Sequence, residues 1–155
     1  MLPNENNDLL YLINILEYIG KIWKYSEGIN DAEELFEKNE QMNFNASLTL
    51  LANIGENISR ISDKLKKEYK YIDWQVIKSF RNRIVHDYNN IDLAMVYEII
   101  SNDLKILKWK IEKIIINKTK KKIFNIDEIK LCDKSNFYKY IDFKSIIEKS
   151  SILSD

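Results

Sequence analysis

Leu51, Ile54, Ile58, Ile61 and Leu65 recur with gaps of 3, 4, 3 and 4, the spacing that lays apolar side chains along one face of an α-helix. A second stripe, Val96, Ile100, Leu104, Leu107, Ile111 and Ile114, keeps the same period. Neither run shows the two-residue alternation of a half-buried strand. Turn formers are scarce throughout, with three glycines and one proline, Pro3, in 155 residues. A β-sandwich or an α/β fold needs more chain reversals than these can supply, so long helices are expected.

The remaining elements follow from caps and breaks. A first amphipathic helix is expected over about residues 7–24, with Leu9, Ile13, Leu16, Gly20 and Trp23 on one stripe. After a break at Gly28–Asp31, Asn30 or Asp31 can cap a short helix through Lys38. The Leu51–Leu65 stripe reads as one long helix over about 41–67. Asp73 can then cap a helix beginning at Trp74, with Ile77, Phe80 and Ile84 as its packing residues. Asn89-Asn90 marks another break, and Asp92 can cap a helix running to about 117. The expected fold is all-α: an antiparallel four- to five-helix bundle over residues 1–117, with a C-terminal helical extension at 118–155. Asp142 can cap a last short helix carrying Phe143, Ile146 and Ile147. Phe137, Tyr138, Tyr140 and Phe143 make the extension too apolar for a free tail, so it should pack on the bundle.

The formal net charge is zero but unevenly spread. Residues 1–40 carry nine acidic and three basic side chains, whereas residues 104–122 carry eight lysines against Glu112. Such asymmetry permits a basic surface for a nucleic acid, and equally a solvated helix face. The single cysteine, Cys132, excludes an intrachain disulfide and fits a reducing compartment. One cysteine and one histidine do not supply a Cys/His zinc set. No metal or cofactor is expected. Without a signal peptide, or an apolar run near the roughly 20 residues of a membrane span, a soluble cytoplasmic protein is expected.

The only histidine, His86, stands in Arg81-Asn82-Arg83-Ile84-Val85-His86-Asp87-Tyr88. Guanidinium forks bind phosphate bidentately, and an imidazole with an ordinary pKa of about 6.5 moves protons near neutrality. Together these groups suit a phosphodiester. On a continuous helix, Asn82 and His86 would share a face, and Arg81 would lie about 140° around the axis from His86. Arg81 and Tyr88, seven apart, would then fall on nearly the same stripe.

Arg81-x4-His86-x-Tyr88, with Trp74 before it and Ile91-Asp92 after it, resembles the HepT branch of the HEPN superfamily. Ile54-Gly55-Glu56 also resembles the HepT pattern, with Asn57 where a small apolar residue is common. The likeness covers roughly residues 7–117. The resemblance implies a small helical bundle acting as a metal-independent endoribonuclease toxin. It implies a homodimer whose motifs face each other, and a nucleotidyltransferase antitoxin of the MntA type that adds AMP to the motif tyrosine, here Tyr88. The residues it places in catalysis are Arg81, Asn82 and His86, acting on an RNA that could be tRNA or mRNA.

The residue chemistry agrees with a dimer. Metal-free RNA cleavage needs a base for the 2′-hydroxyl and an acid for the departing 5′-oxygen, and one chain offers one histidine. A two-fold partner supplies a second. Arg83 reads better as a solvated residue or a partner of Asp87 at i+4 than as a catalytic one. Glu56 falls off the apolar stripe and could orient a motif residue. Lys64, Lys66, Lys67, Lys70 and the lysines at 118–122 could guide an RNA backbone or simply be solvated. The rival reading is a non-catalytic HEPN bundle serving as the binding subunit of a nucleotidyltransferase complex.

Overall fold

The computed structural model describes residues 7–87 and 90–152. They form an all-α bundle: α1 (Asp8–Tyr25), α2 (Ala32–Glu37), α3 (Met42–Arg60), α4 (Asp63–Glu68), α5 (Trp74–Lys78) and α6 (Phe80–Ile84). A two-stranded antiparallel hairpin follows, β1 (Val85–Asp87) with β2 (Asn90–Ile91). The chain continues as α7 (Leu93–Glu98), a π-helical turn (Ile99–Asp103), α8 (Leu104–Lys120), α9 (Ile126–Asp133) and α10 (Phe143–Ser151).

Four aspartates cap where local sequence places them. The side chains of Asp31, Asp73, Asp92 and Asp142 accept the backbone N–H of Glu34, Val76, Met95 and Ser145 respectively. Each satisfies a donor that the first helical turn would otherwise leave open. The two apolar stripes are buried along their whole length, Leu51 to Leu65 and Val96 to Ile114.

Both long helices nevertheless depart from one uniform rod. The helix expected over 41–67 ends at Arg60, Ile61 is extended, and Ser62 starts α4. The cause is tertiary. Ser62 donates its N–H to Asp8 Oδ1 at 2.8 Å and its hydroxyl to Asp8 Oδ2 at 2.5 Å, and its oxygen caps Leu65 N–H. Asp8 and Ser62 are both buried, where an unmatched carboxylate would be costly. The helix expected over 92–117 widens into the π turn, and there Ile100 C=O accepts from Trp23 Nε1 at 3.0 Å. A π turn frees a carbonyl from the regular ladder, and this one ties α1 to the α7–α8 rod.

α1 is sheathed on several sides rather than along one stripe: Leu9, Leu12, Ile13, Ile15, Leu16, Ile19 and Ile22 are all buried. The extension provides the extra cover. Glu17, 2% exposed, accepts the backbone N–H groups of Lys139 at 3.0 Å and Tyr140 at 2.9 Å. Tyr138 donates its hydroxyl to Asn14 Oδ1 at 2.8 Å. A Cβ on Gly20 would stand 2.4 Å from Tyr140 Cβ, so only glycine lets the segment lie this close. From the extension, Phe124, Ile129, Phe143 and Ile146 join the core.

Candidate functional site

α6 is anchored by Phe80 and Ile84, one turn apart and both buried. That anchoring turns Arg81 and Asn82 outward, and both are exposed. Arg83 is half-buried, with its guanidinium carbon 5.6 Å from the Phe80 ring centroid. This stacking suits a positioning cation better than one that reaches substrate. The alternative partner for Arg83, the Asp87 side chain, lies outside the described residues.

The helix stops at Ile84. Val85 then pairs with Ile91 and Asp87 with Asn90, with an irregularity between them. Asp92 N–H closes the ladder on Ile84 C=O at 3.0 Å. His86 therefore sits on a strand, and the helical faces assigned above (Asn82 with His86, Arg81 with Tyr88) do not apply. Hydrogen bonding of Ile84 to a residue eight positions ahead replaces the next helical turn. The angular separation of Arg81 from His86 is thus set by the turn from helix to hairpin. The His86 side chain and the whole of Tyr88 lie outside the described residues.

Arg81, Ile84 and Ile91 form one wall of an open groove of about 600 Å³. The opposite wall is the outer face of α3: Asn45, Leu48, Thr49, Ala52 and Asn53. Asn45, Thr49 and Asn53 are spaced by four, so one helical face presents a small polar stripe to the motif. Sequence reasoning missed it by following only the apolar stripe, although the i, i+4, i+8 spacing was there to be read. Glu56, one turn further along, pairs with Arg60 at 3.1 Å, and both side chains are more than half exposed. An exposed i, i+4 pair is worth only about 0.3–0.5 kcal/mol. Among the described residues Glu56 thus has Arg60 as its partner, and no motif residue.

Gly55 determines how close α5, the helix that leads into the motif, approaches α3. A Cβ there would stand 2.8 Å from the carbonyl oxygen of Lys78, the last residue of α5. Glycine to alanine within a helix ordinarily gains up to about 1 kcal/mol. Overpacking against backbone costs about 1–3 kcal/mol and should dominate here. Gly55→Ala is expected to melt at a lower temperature than the wild type; a higher melting temperature would show that α5 is free to shift away.

Among the described residues no group of three or more His, Cys, Asp or Glu side chains converges as metal ligands would. No helix of the described residues is long and apolar enough to cross a membrane.

The family model described as Ribonuclease HepT-like matches residues 15–114, from the middle of α1 to the middle of α8 with the whole motif inside. A candidate RNase of Methanocaldococcus jannaschii is 27% identical over 105 residues, 68% of this chain and 84% of that protein. The "Probable ribonuclease HepT" of Thermococcus cleftensis is 28% identical over 104 residues, 67% of this chain and 92% of that protein. A longer Methanocaldococcus jannaschii protein, named as a gamma-glutamylcyclotransferase and candidate RNase, is 27% identical over 119 residues. The match spans 76% of this chain and only 52% of that relative. No solved structure matches the chain. With the family model covering about two thirds of its length, and the motif helix and hairpin inside the matched span, the chain belongs to the HepT-like ribonuclease family.

Proposed function

We propose that this chain is a metal-independent endoribonuclease, the toxin of a type VII toxin–antitoxin pair, acting as a cytoplasmic homodimer. The observation that carries the reading is Arg81, held exposed on the wall of an open groove by the buried anchors Phe80 and Ile84, on the helix that runs directly into the strand bearing His86.

In this mechanism the ribose 2′-oxygen attacks the adjacent phosphorus as His86 of one copy takes its proton. The P–O5′ bond breaks, and the 5′-oxygen leaves with a proton from His86 of the second copy. The products are a 2′,3′-cyclic phosphate and a 5′-hydroxyl. Arg81 stabilises the charge that develops on the non-bridging phosphate oxygens, and Asn82, exposed beside it, positions the phosphate. The polar face of α3 makes the groove hospitable to a hydrated backbone. Tyr88 is the point of control. An MntA-like nucleotidyltransferase joins its phenolic oxygen to the α-phosphorus of ATP and releases pyrophosphate. The added AMP carries a phosphodiester charge that competes with RNA phosphate for the cations of the motif.

The test is incubation of the pure protein with total cellular RNA in excess EDTA. Cleavage that persists and leaves 2′,3′-cyclic phosphate ends is the expected result. Strict dependence on added metal would overturn the mechanism. Intact RNA together with tight binding of the nucleotidyltransferase would instead favour the non-catalytic binding subunit.

A further inference from the structure

A second groove lies among the segment that follows α4, α8 and the end of α10. It has a volume of about 600 Å³ and is lined by Tyr69, Tyr71, Trp109, Lys113, Lys120 and Lys149 among others. We infer that this groove is an accessory RNA-binding surface, which takes a single-stranded segment of the substrate through base stacking on Tyr71 and Trp109 and phosphate contacts from the lysines. The inference rests on the ribonuclease reading above and names where the substrate is held outside the cleavage motif.

Three observations converge. Tyr71 and Trp109 are 58% and 54% exposed, whereas Trp74 is buried and Trp23 donates to Ile100 C=O. Cations already frame these rings: Lys113 Nζ stands 3.8 Å from the Trp109 centroid and Lys110 Nζ 5.8 Å from that of Tyr71. Aromatic platforms beside cations are what single-stranded nucleic acid needs, because every base has a π-face and every linkage a charge. The acid in the lining, Glu112, is held by Lys108 at 2.6 Å, so the groove presents net positive charge on a neutral chain.

The third observation is continuity. Tyr71 also lines a neighbouring groove with Lys66, Lys67 and Lys70, where Asp63, Asp73, Trp74 and Gln75 also stand. Trp74 and Gln75 open α5, the helix that leads into α6 and Arg81. Burial lowers the Lys66 pKa; Asp63 opposes it, and Lys78 adds a smaller lowering. Tyr69 stays a neutral phenol, its pKa pushed up to about 12 by burial first and by Glu68 and Tyr71 after it; its hydroxyl donates to Asn117 Oδ1 at 3.1 Å. A second copy of the chain is the poorer occupant, because a two-fold contact here would set the same lysines against each other.

The experiment uses the full chain and a fluorescein-labelled oligouridylate, read by anisotropy and by tryptophan emission. Binding should quench Trp109. Trp109→Ala with Tyr71→Ala should weaken binding by about 10-fold or more, the scale of a missing base stack, with thermal melting unchanged because both rings are exposed. Trp109→Phe should restore most of the affinity. Lys113→Gln with Lys120→Gln should flatten the salt dependence by about 0.7 in log Kd per log salt for each phosphate that is no longer neutralised. Against a long RNA the aromatic variants should raise KM and leave kcat unchanged. Equal affinity of wild type and the double aromatic variant, or binding of polyglutamate as tight as oligouridylate without quenching, overturns the inference. If wild type cleaves nothing while Trp109 is still quenched, the ribonuclease reading fails and the binding surface stands.

Discussion

His86→Ala is expected to lower the cleavage rate at saturating RNA by about 10²–10⁴-fold, the usual contribution of a positioned acid or base. In the proposed mechanism the substitution removes both groups from a homodimer, so the upper part of that range is the expectation. Binding of RNA should change little, because the lysines and Arg81 remain. Growth arrest on induction should disappear with the same substitution. Co-expression of wild-type and His86→Ala chains gives a sharper check, since a hybrid dimer keeps one histidine and lacks the other. If base and acid come from different copies, hybrids should be nearly as impaired as the homodimeric variant. Hybrids retaining half of the wild-type rate would mean that each chain carries a complete site, and the two-copy mechanism would fall.

Removal of residues 118–155 is expected to leave a chain that does not fold cooperatively. Phe124, Ile129, Phe143 and Ile146 are all at most 7% exposed, and full burial of such a side chain contributes about 1.5–3 kcal/mol. Four of them amount to a large part of the about 5–15 kcal/mol that separates a folded domain from its unfolded chain. The truncation also strips Glu17 of the Lys139 and Tyr140 N–H groups, leaving a carboxylate on a newly bared face of α1. Thermal unfolding followed by far-UV circular dichroism is the measurement. A sharp transition for residues 1–117 near that of the full chain would show that the extension is dispensable. The family match stops at residue 114, so the expectation concerns a part of this chain that family membership does not explain.

These two predictions draw on different levels of legibility. The motif could be read directly, because it is a string of residue types with distinctive chemistry and because Phe80 and Ile84 share a helical face that forces Arg81 outward. The setting of His86 could not. Nothing local in Ile84-Val85-His86 forbids another helical turn. The competing state, a hairpin closed by Asp92 N–H on Ile84 C=O, depends on a reversal and on which residues meet across it. The break at Ser62 has a similar origin: its partner is Asp8, 54 residues away, and no window around residue 62 contains it.

What the sequence determined by itself were the aspartate caps and the apolar stripes, relations that span three or four residues. Asp31, Asp73, Asp92 and Asp142 cap the helices expected of them, and the stripes from Leu51 and from Val96 are buried. Capping and amphipathicity are local, set by the helical repeat. The tertiary structure alone decided the path of the extension over α1, the distance between α3 and the motif, and the groove between them. Those depend on close approaches at Gly20 and Gly55 and on buried polar groups that had to find distant partners, and such energies exist only once the chain has packed.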